Sequence, residues 1–396
     1  MATERVNGSL KYISATDWPS HKSSHHPATH SAGSCTASWH LDDEWLAARR
    51  RADARHAERS NATSDLAPGC CPAIIEFYTY QRPWRSNSSA DINQTIVGRC
   101  CVDRLDAHAL PSLRSTGGAT FNDFIRNAIT EHARPDLLMI GDSMGEQLML
   151  AMLCKAWSEG YDVSFAAANP SSLSYKATVS DTRDFKHAPS SSRALPILEI
   201  RFVRFQNPPT LAEVQHAVNG GNESYVLLET WYERSVAHGW DAKRILGHAQ
   251  DMLATCAHLR PHARLVAMDA AVKHFPGGKW SPYTTYPPAS STRPHAACND
   301  AVPADEWLAL GWFNAALANV TAHHGAGVAR MASLYRDAGA FHVGFGQDLV
   351  GKGLRNKYLQ GGRDCLHWCL VPSIIDSWAS TAFSAIIVRH SCPVRL

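Results

Sequence analysis

Two short stretches far apart in this 396-residue chain carry residue types that could do nucleophilic chemistry together. The first is Gly141-Asp142-Ser143, preceded by the apolar run Leu137 to Ile140 and followed by Leu148-Met149-Leu150-Ala151-Met152-Leu153. A hydroxyl at a strand-to-helix turn lies where unpaired helix N–H groups and the positive end of the helix dipole converge. That setting stabilises charge developing on a substrate oxygen. Ser143 is therefore the candidate nucleophile. The same tripeptide also reads as a plain helix N-cap, a position that favours Asp and Ser. The second stretch is Asp364-Cys365-Leu366-His367-Trp368-Cys369. Asp364 and His367 share one face of any helical or tight turn. The carboxylate can then hold one imidazole nitrogen while the other takes a proton from a serine hydroxyl, which is the logic of a Ser-His-Asp triad.

Strands and helices must bring these stretches together. Leu137 to Ile140 suits a buried strand of a parallel sheet, and Phe121, Phe124, Ile125 and Ala128 have helical spacing. Leu198 to Phe205 alternates, which predicts a half-exposed strand nearer a sheet edge. Further strands are expected at Tyr225 to Glu229, Arg264 to Met268 and Ala329 to Leu334. Helices are expected at Leu211 to Val218, Asp241 to Leu259, Glu306 to Ala322 and Ser373 to Val388. Stretches 168–195 and 273–300 read as loops. Alternating strands and helices imply an α/β fold, a three-layer α/β/α sandwich around a parallel sheet. Ligands of such sheets bind beyond the C-terminal strand ends, where Ser143, Glu229-Thr230-Trp231 and the loop after Met268 would meet. Residues 1–66 read as a polar tail or stem, and 67–396 as one catalytic domain with a disulfide-tied accessory lobe at 67–130.

A formal charge of +2, with no basic run, argues against nucleic-acid binding. No stretch of about 18 apolar residues marks a membrane span, and the first thirty residues lack the apolar centre of a signal peptide. Eleven cysteines and sequons at Asn7, Asn61, Asn87, Asn93, Asn222 and Asn319 nevertheless suggest the secretory route, either the Golgi lumen or the extracellular space. Cys365 and Cys369 could be half of a zinc site. No second half with ligand spacing is visible, so disulfides are favoured and no metal is expected. The odd cysteine count leaves at least one thiol free or pairing between chains.

With Gly141-Asp142-Ser143 early and Asp364-x-x-His367 late, the chain resembles the SGNH/GDSL hydrolase superfamily. More narrowly it resembles the PC-esterase group, which includes the trichome birefringence-like polysaccharide O-acetyltransferases. Asp364-Cys365-Leu366-His367-Trp368-Cys369-Leu370, with Pro372, Asp376 and Trp378 after it, is similar to that group's C-terminal block. His274-Phe275-Pro276-Gly277-Gly278-Lys279-Trp280, followed by Cys298, is similar to another. The resemblance spans roughly residues 70–390. It implies Ser143 as nucleophile, His367 as general base and Asp364 as its orienting partner. The implied reaction is acetyl transfer to a carbohydrate hydroxyl through an acetyl-serine. No bound cofactor is implied; acetyl-CoA or another acetylated donor, delivered by a membrane partner in one version, would be co-substrate, and a polysaccharide the acceptor.

Two positions depart from the group. Glu146 stands before Gln147 where many members have Arg, and Glu229-Thr230-Trp231-Tyr232 stands where relatives show Asn, Gly and His before a Trp pair. The oxyanion and substrate-binding candidates are Gly141, Asp142, Gln147, Glu229, Thr230, Trp231, His274, Trp280 and Trp368, the tryptophans as platforms for sugar rings. A carbohydrate acetyl esterase and an inactive glycan-binding relative are the rival readings.

Overall fold

The computed structural model describes residues 2–6, 9–13, 71–74, 77, 118–131, 135–166, 174–181, 195–274, 301–331, 336, 342, 365–370 and 372–387. Asp364, Trp280, the Cys100-Cys101 doublet and the sequons at Asn7, Asn61, Asn87 and Asn93 lie outside them. The two remaining sequon asparagines, Asn222 and Asn319, are exposed.

The apolar runs at 137–140, 225–228 and 264–268 pair as expected. Strand β3 (Asp136–Gly141) lies between β6 (Leu195–Arg204) and β7 (Tyr225–Leu228), and β8 (Arg264–Met268) and β9 (Gly327–Ala329) follow, all parallel. Their C-terminal ends therefore share one rim. Two strands extend the other side antiparallel, β4 (Asp162–Ala166) and β5 (Ser174–Asp181), giving the order β4-β5-β6-β3-β7-β8-β9. The sheet is mixed rather than wholly parallel. Helices α1 (Phe121–Glu131), α2 (Ser143–Ser158) and α7 (Pro372–Ile387) pack on one another, as do α3 (Leu211–Asn219), α5 (Ala242–Leu259) and α6 (Ala304–His323). The expected α/β fold stands.

Three expectations need correction. The stretch 168–195 contains β5, whose Ser-rich composition hides an alternation that buries Tyr175, Ala177 and Val179. β6 is interior, flanked by β5 and β3, although it alternates like an edge. Its polar residues lie on a partly exposed face and meet neighbouring charges there: Glu199 meets Lys176 and Arg201 meets Glu223, each at 2.5 Å. The last strand, expected at Ala329 to Leu334, is β9 at Gly327–Ala329, and 332–335 lie outside the described residues. Within 1–66, β1 (Ala2–Val6) and β2 (Ser9–Ile13) pair antiparallel.

The nucleophile helix α2 is buried on nearly all sides, which explains its all-round apolar sequence. A disulfide from Cys71 to Cys154 ties this helix to the preceding segment. Cys256 is a buried free thiol, and burial pushes its pKa up to about 12. No helix among the described residues is long and apolar enough to cross a membrane.

Candidate active site

Ser143 opens α2 at the C-terminal end of β3, with Asp142 as N-cap. The first turn of a helix has four N–H groups without helical acceptors. Here the Met144 N–H donates to the Asp142 carboxylate at 2.7 Å. Those of Asp142 and Gly145 donate to Glu229 Oε2 at 2.7 and 3.1 Å. Among the described residues the Ser143 N–H is left without an acceptor, available to an oxyanion.

Glu229 stands just beyond β7 and is buried. Burial, then the nearby Asp142 carboxylate and a side-chain hydrogen bond with it, push its pKa well above the ordinary carboxylate range. Its carboxyl accepts the two backbone N–H groups and lies within hydrogen-bond reach of the Asp142 side chain. Gly141 and Gly145 make room for it, since a Cβ on either would stand 2.7 or 3.1 Å from Glu229 Oε2. Among the described residues Trp231 is the non-glycine residue with positive φ (49°), a backbone state that costs about 1–2 kcal/mol. Its indole N–H donates to the Phe205 carbonyl at 3.2 Å, which anchors the sharp exit from β7 into α4 (Tyr232–Ala237).

His367 reaches this turn from 224 positions away, its Nε2 2.7 Å from Ser143 Oγ. Its segment is short and irregular, and side chains hold it. Gln147 Nε2 donates to the Trp368 carbonyl at 2.8 Å, while the Trp368 N–H donates to Gln147 Oε1 at 3.1 Å. The His274 N–H donates to the Cys365 carbonyl at 3.0 Å, and His342 Nδ1 lies 3.1 Å from the His367 carbonyl. Cys365 and Cys369 are both disulfide-bonded, so neither supplies a thiolate and the half-zinc-site reading falls.

Exposure separates the pair from its surroundings. From Leu137 to Cys154 every residue is buried except Ser143, and from Cys365 to Leu370 every residue is buried except His367. The candidate substrate contacts sit otherwise. Trp231 and Trp368 are each 1% exposed and offer no face to a sugar ring; they are core. Gln147, Glu229, Thr230 and His274 are likewise buried, and the first two act on the backbone of the two turns. Glu146 is buried against Arg204 from the end of β6, Oε2 to Nη1 2.6 Å. A neighbouring strand thus supplies a guanidinium to the acid that precedes Gln147.

Two features were missed by the sequence reading. Lys273 is buried between Glu233 (2.6 Å) and Glu306 (3.3 Å). Burial by itself would lower its pKa, but the two carboxylates outweigh that and hold the ammonium charged. His342, flanked by Phe341 and Val343, carries no spacing signal that links it to His274.

No protein-family model matches this chain, and no curated protein matches it. Among solved structures it is similar to the crystal structure of a protein assigned as a GDSL-like lipase from Parabacteroides merdae. That likeness has a TM-score of 0.33 at 9% identity and covers 64% of this chain and 96% of the other. It is too remote to bear on chemistry.

Proposed function

We propose that the chain is a serine acyltransferase that moves acetyl groups onto carbohydrate hydroxyls. The observation that carries the acyl-transfer chemistry is the 2.7 Å contact between Ser143 Oγ and His367 Nε2, formed by the two open residues of otherwise buried segments. Acetyl and carbohydrate rest on the resemblance of the Asp364-Cys365-Leu366-His367-Trp368-Cys369-Leu370 block.

Ser143 Oγ attacks the carbonyl carbon of the acetyl donor as its proton passes to His367 Nε2. The Ser143 N–H stabilises the resulting oxyanion. The donor's leaving group departs with the proton from His367, leaving an acetyl-serine. A sugar hydroxyl then attacks, gives its proton to His367, and the second oxyanion collapses to release the acetylated sugar. The proton returns to Ser143. The resemblance of its block gives Asp364 the role of orienting the imidazole. Disulfides at Cys71, Cys154, Cys365 and Cys369 favour an oxidising compartment, in keeping with a secretory protein.

The departures at Glu146 and Glu229 do not favour the inactive reading. Both acids are engaged in the scaffold, one by Arg204 and one by the nucleophile turn. The test is fluorophosphonate labelling and acetyl-ester turnover by the full chain against Ser143→Ala. Turnover should drop by about 10³-fold or more. Equal signals would overturn the proposal. Mass gain on an oligosaccharide acceptor supports transfer; release of free acetate without it would make the protein an esterase.

A further inference from the structure

Behind the His367 turn lies a pair of fully buried histidines. His274 Nδ1 is 2.6 Å from His342 Nε2, and the rings are 4.7 Å apart between centroids. The outer nitrogens face carbonyl oxygens: His274 Nε2 is 3.0 Å from the Arg336 carbonyl, and His342 Nδ1 is 3.1 Å from that of His367. A carbonyl only accepts, so each outer nitrogen must carry a proton. A neutral imidazole carries one proton in total. If both rings were neutral, the inner nitrogens would press two lone pairs together at 2.6 Å. All three contacts form together only if the pair holds one proton more than neutrality provides. With that proton lost, one contact must break.

We infer that His274 and His342 are positioning residues that hold the His367 turn through a single shared proton, as a buried imidazolium–imidazole pair. This rests on the acyl-transfer reading for its consequence in catalysis, and on geometry for the proton. The protonated pair keeps His342 Nδ1 as donor to the His367 carbonyl. The deprotonated pair either releases that carbonyl or splits the rings, and the base moves relative to Ser143 Oγ. Among the described residues, His367 and Arg336 meet the pair through their backbone carbonyls, and Lys273, next to His274 in the chain, is ion-paired with Glu233 and Glu306; Cys365 is disulfide-bonded. Trp368 covers the His342 ring at 4.1 Å between centroids and screens it from water.

Two measurements test this. Imidazole ¹⁵N NMR on the histidine-labelled full chain counts protons directly. A scalar coupling across the inter-ring N–H···N bond identifies the pair without any variant. The expected result near neutral pH is three protons over the four ring nitrogens, with one strongly deshielded proton between the rings. Two protons over four nitrogens would overturn the inference.

The second measurement is the pH profile of fluorophosphonate labelling at Ser143, in wild type and in His274→Asn. The asparagine amide donates from the place of Nδ1 to His342 Nε2, so that pair needs no extra proton. The wild-type rate should fall on the alkaline side as the shared proton leaves. In the variant that fall should move upward by at least about one pH unit. Superimposable profiles would overturn the positioning role. A wild type that shows the shared proton but no labelling at any pH would leave the pair standing and sink the acyl-transfer reading.

Discussion

The Ser143 turn and the His367 turn meet at 2.7 Å, yet they are built by opposite means. The serine turn grows out of continuous secondary structure. β3 delivers it, α2 continues it, and its N–H groups are answered by Asp142 two residues away and by Glu229 on the adjoining strand end. The histidine turn has almost no regular structure of its own beyond the isolated His342–Trp368 bridge. Its backbone groups are answered by Gln147, His274 and His342, each brought from another part of the chain. A nucleophile placed by a strand and helix is fixed by local folding. A base placed by borrowed side chains is fixed by tertiary packing, and can be loosened without unfolding the sheet.

The largest expected effect lies behind the serine turn. Replacing Cys71 and Cys154 by Ser opens a disulfide that closes 83 residues of chain. The loss should be about 4 kcal/mol in a denaturant titration. Labelling of Ser143 well below the unfolding midpoint should be unchanged, because β3 and the N-cap still set the turn. A parallel loss of labelling would show that the serine turn also depends on distant ties.

The next is the ion pair of Glu146 and Arg204. Arg204→Met takes the guanidinium away from a buried carboxylate and should cost about 3 kcal/mol. Adding Glu146→Gln should restore most of it. If the double variant is no better than the single, the guanidinium contributes packing and not charge.

Gln147 tests the histidine turn itself. Gln147→Leu removes the two hydrogen bonds its amide makes with the Trp368 N–H and carbonyl in the interior, for about 2 kcal/mol of stability. Labelling should fall by about 10²-fold through misplacement of His367. The ratio of those losses separates this turn from the serine turn: Arg204→Met costs more stability and less reactivity. Equal labelling in Gln147→Leu and wild type would refute the positioning role of this amide.

The same contrast explains what could be read from the sequence. β3, β7 and β8 were legible because a strand buried on both faces is a continuous apolar run, and α5 because its apolar stripe repeats at helical spacing. Ser143 was legible as a break between two such patterns. His367 was visible through the resemblance of its block, but nothing local showed what holds it. His342 and Gln147 act through contacts that no period or spacing encodes. β6 was misplaced at the edge because a partly exposed face with ion pairs gives the same alternation inside a sheet as at its edge. Trp231 and Trp368 were read as sugar platforms because an aromatic beside a motif looks the same whether it faces a ligand or the core.

The smallest effect is the sharpest on the serine side. Glu229→Gln keeps a carbonyl for the N–H groups of Asp142 and Gly145, and its amide N–H₂ can donate toward Asp142. At pH 4 the variant should match wild type to within about 1 kcal/mol. The wild-type carboxyl has its native pKa raised well above the ordinary glutamate value of 4.5, which serves for the unfolded chain. The native state therefore holds a proton that the unfolded state releases. The stability this group provides is complete below 4.5 and declines as pH climbs toward the raised native value. Glutamine cannot ionise, so the variant escapes that decline, and its stability relative to wild type should rise with pH across the window. Paired urea titrations at several pH values measure the difference directly. A difference that stays flat with pH would mean that Glu229 is ionised in the native turn, and that the N-cap holds two carboxylates.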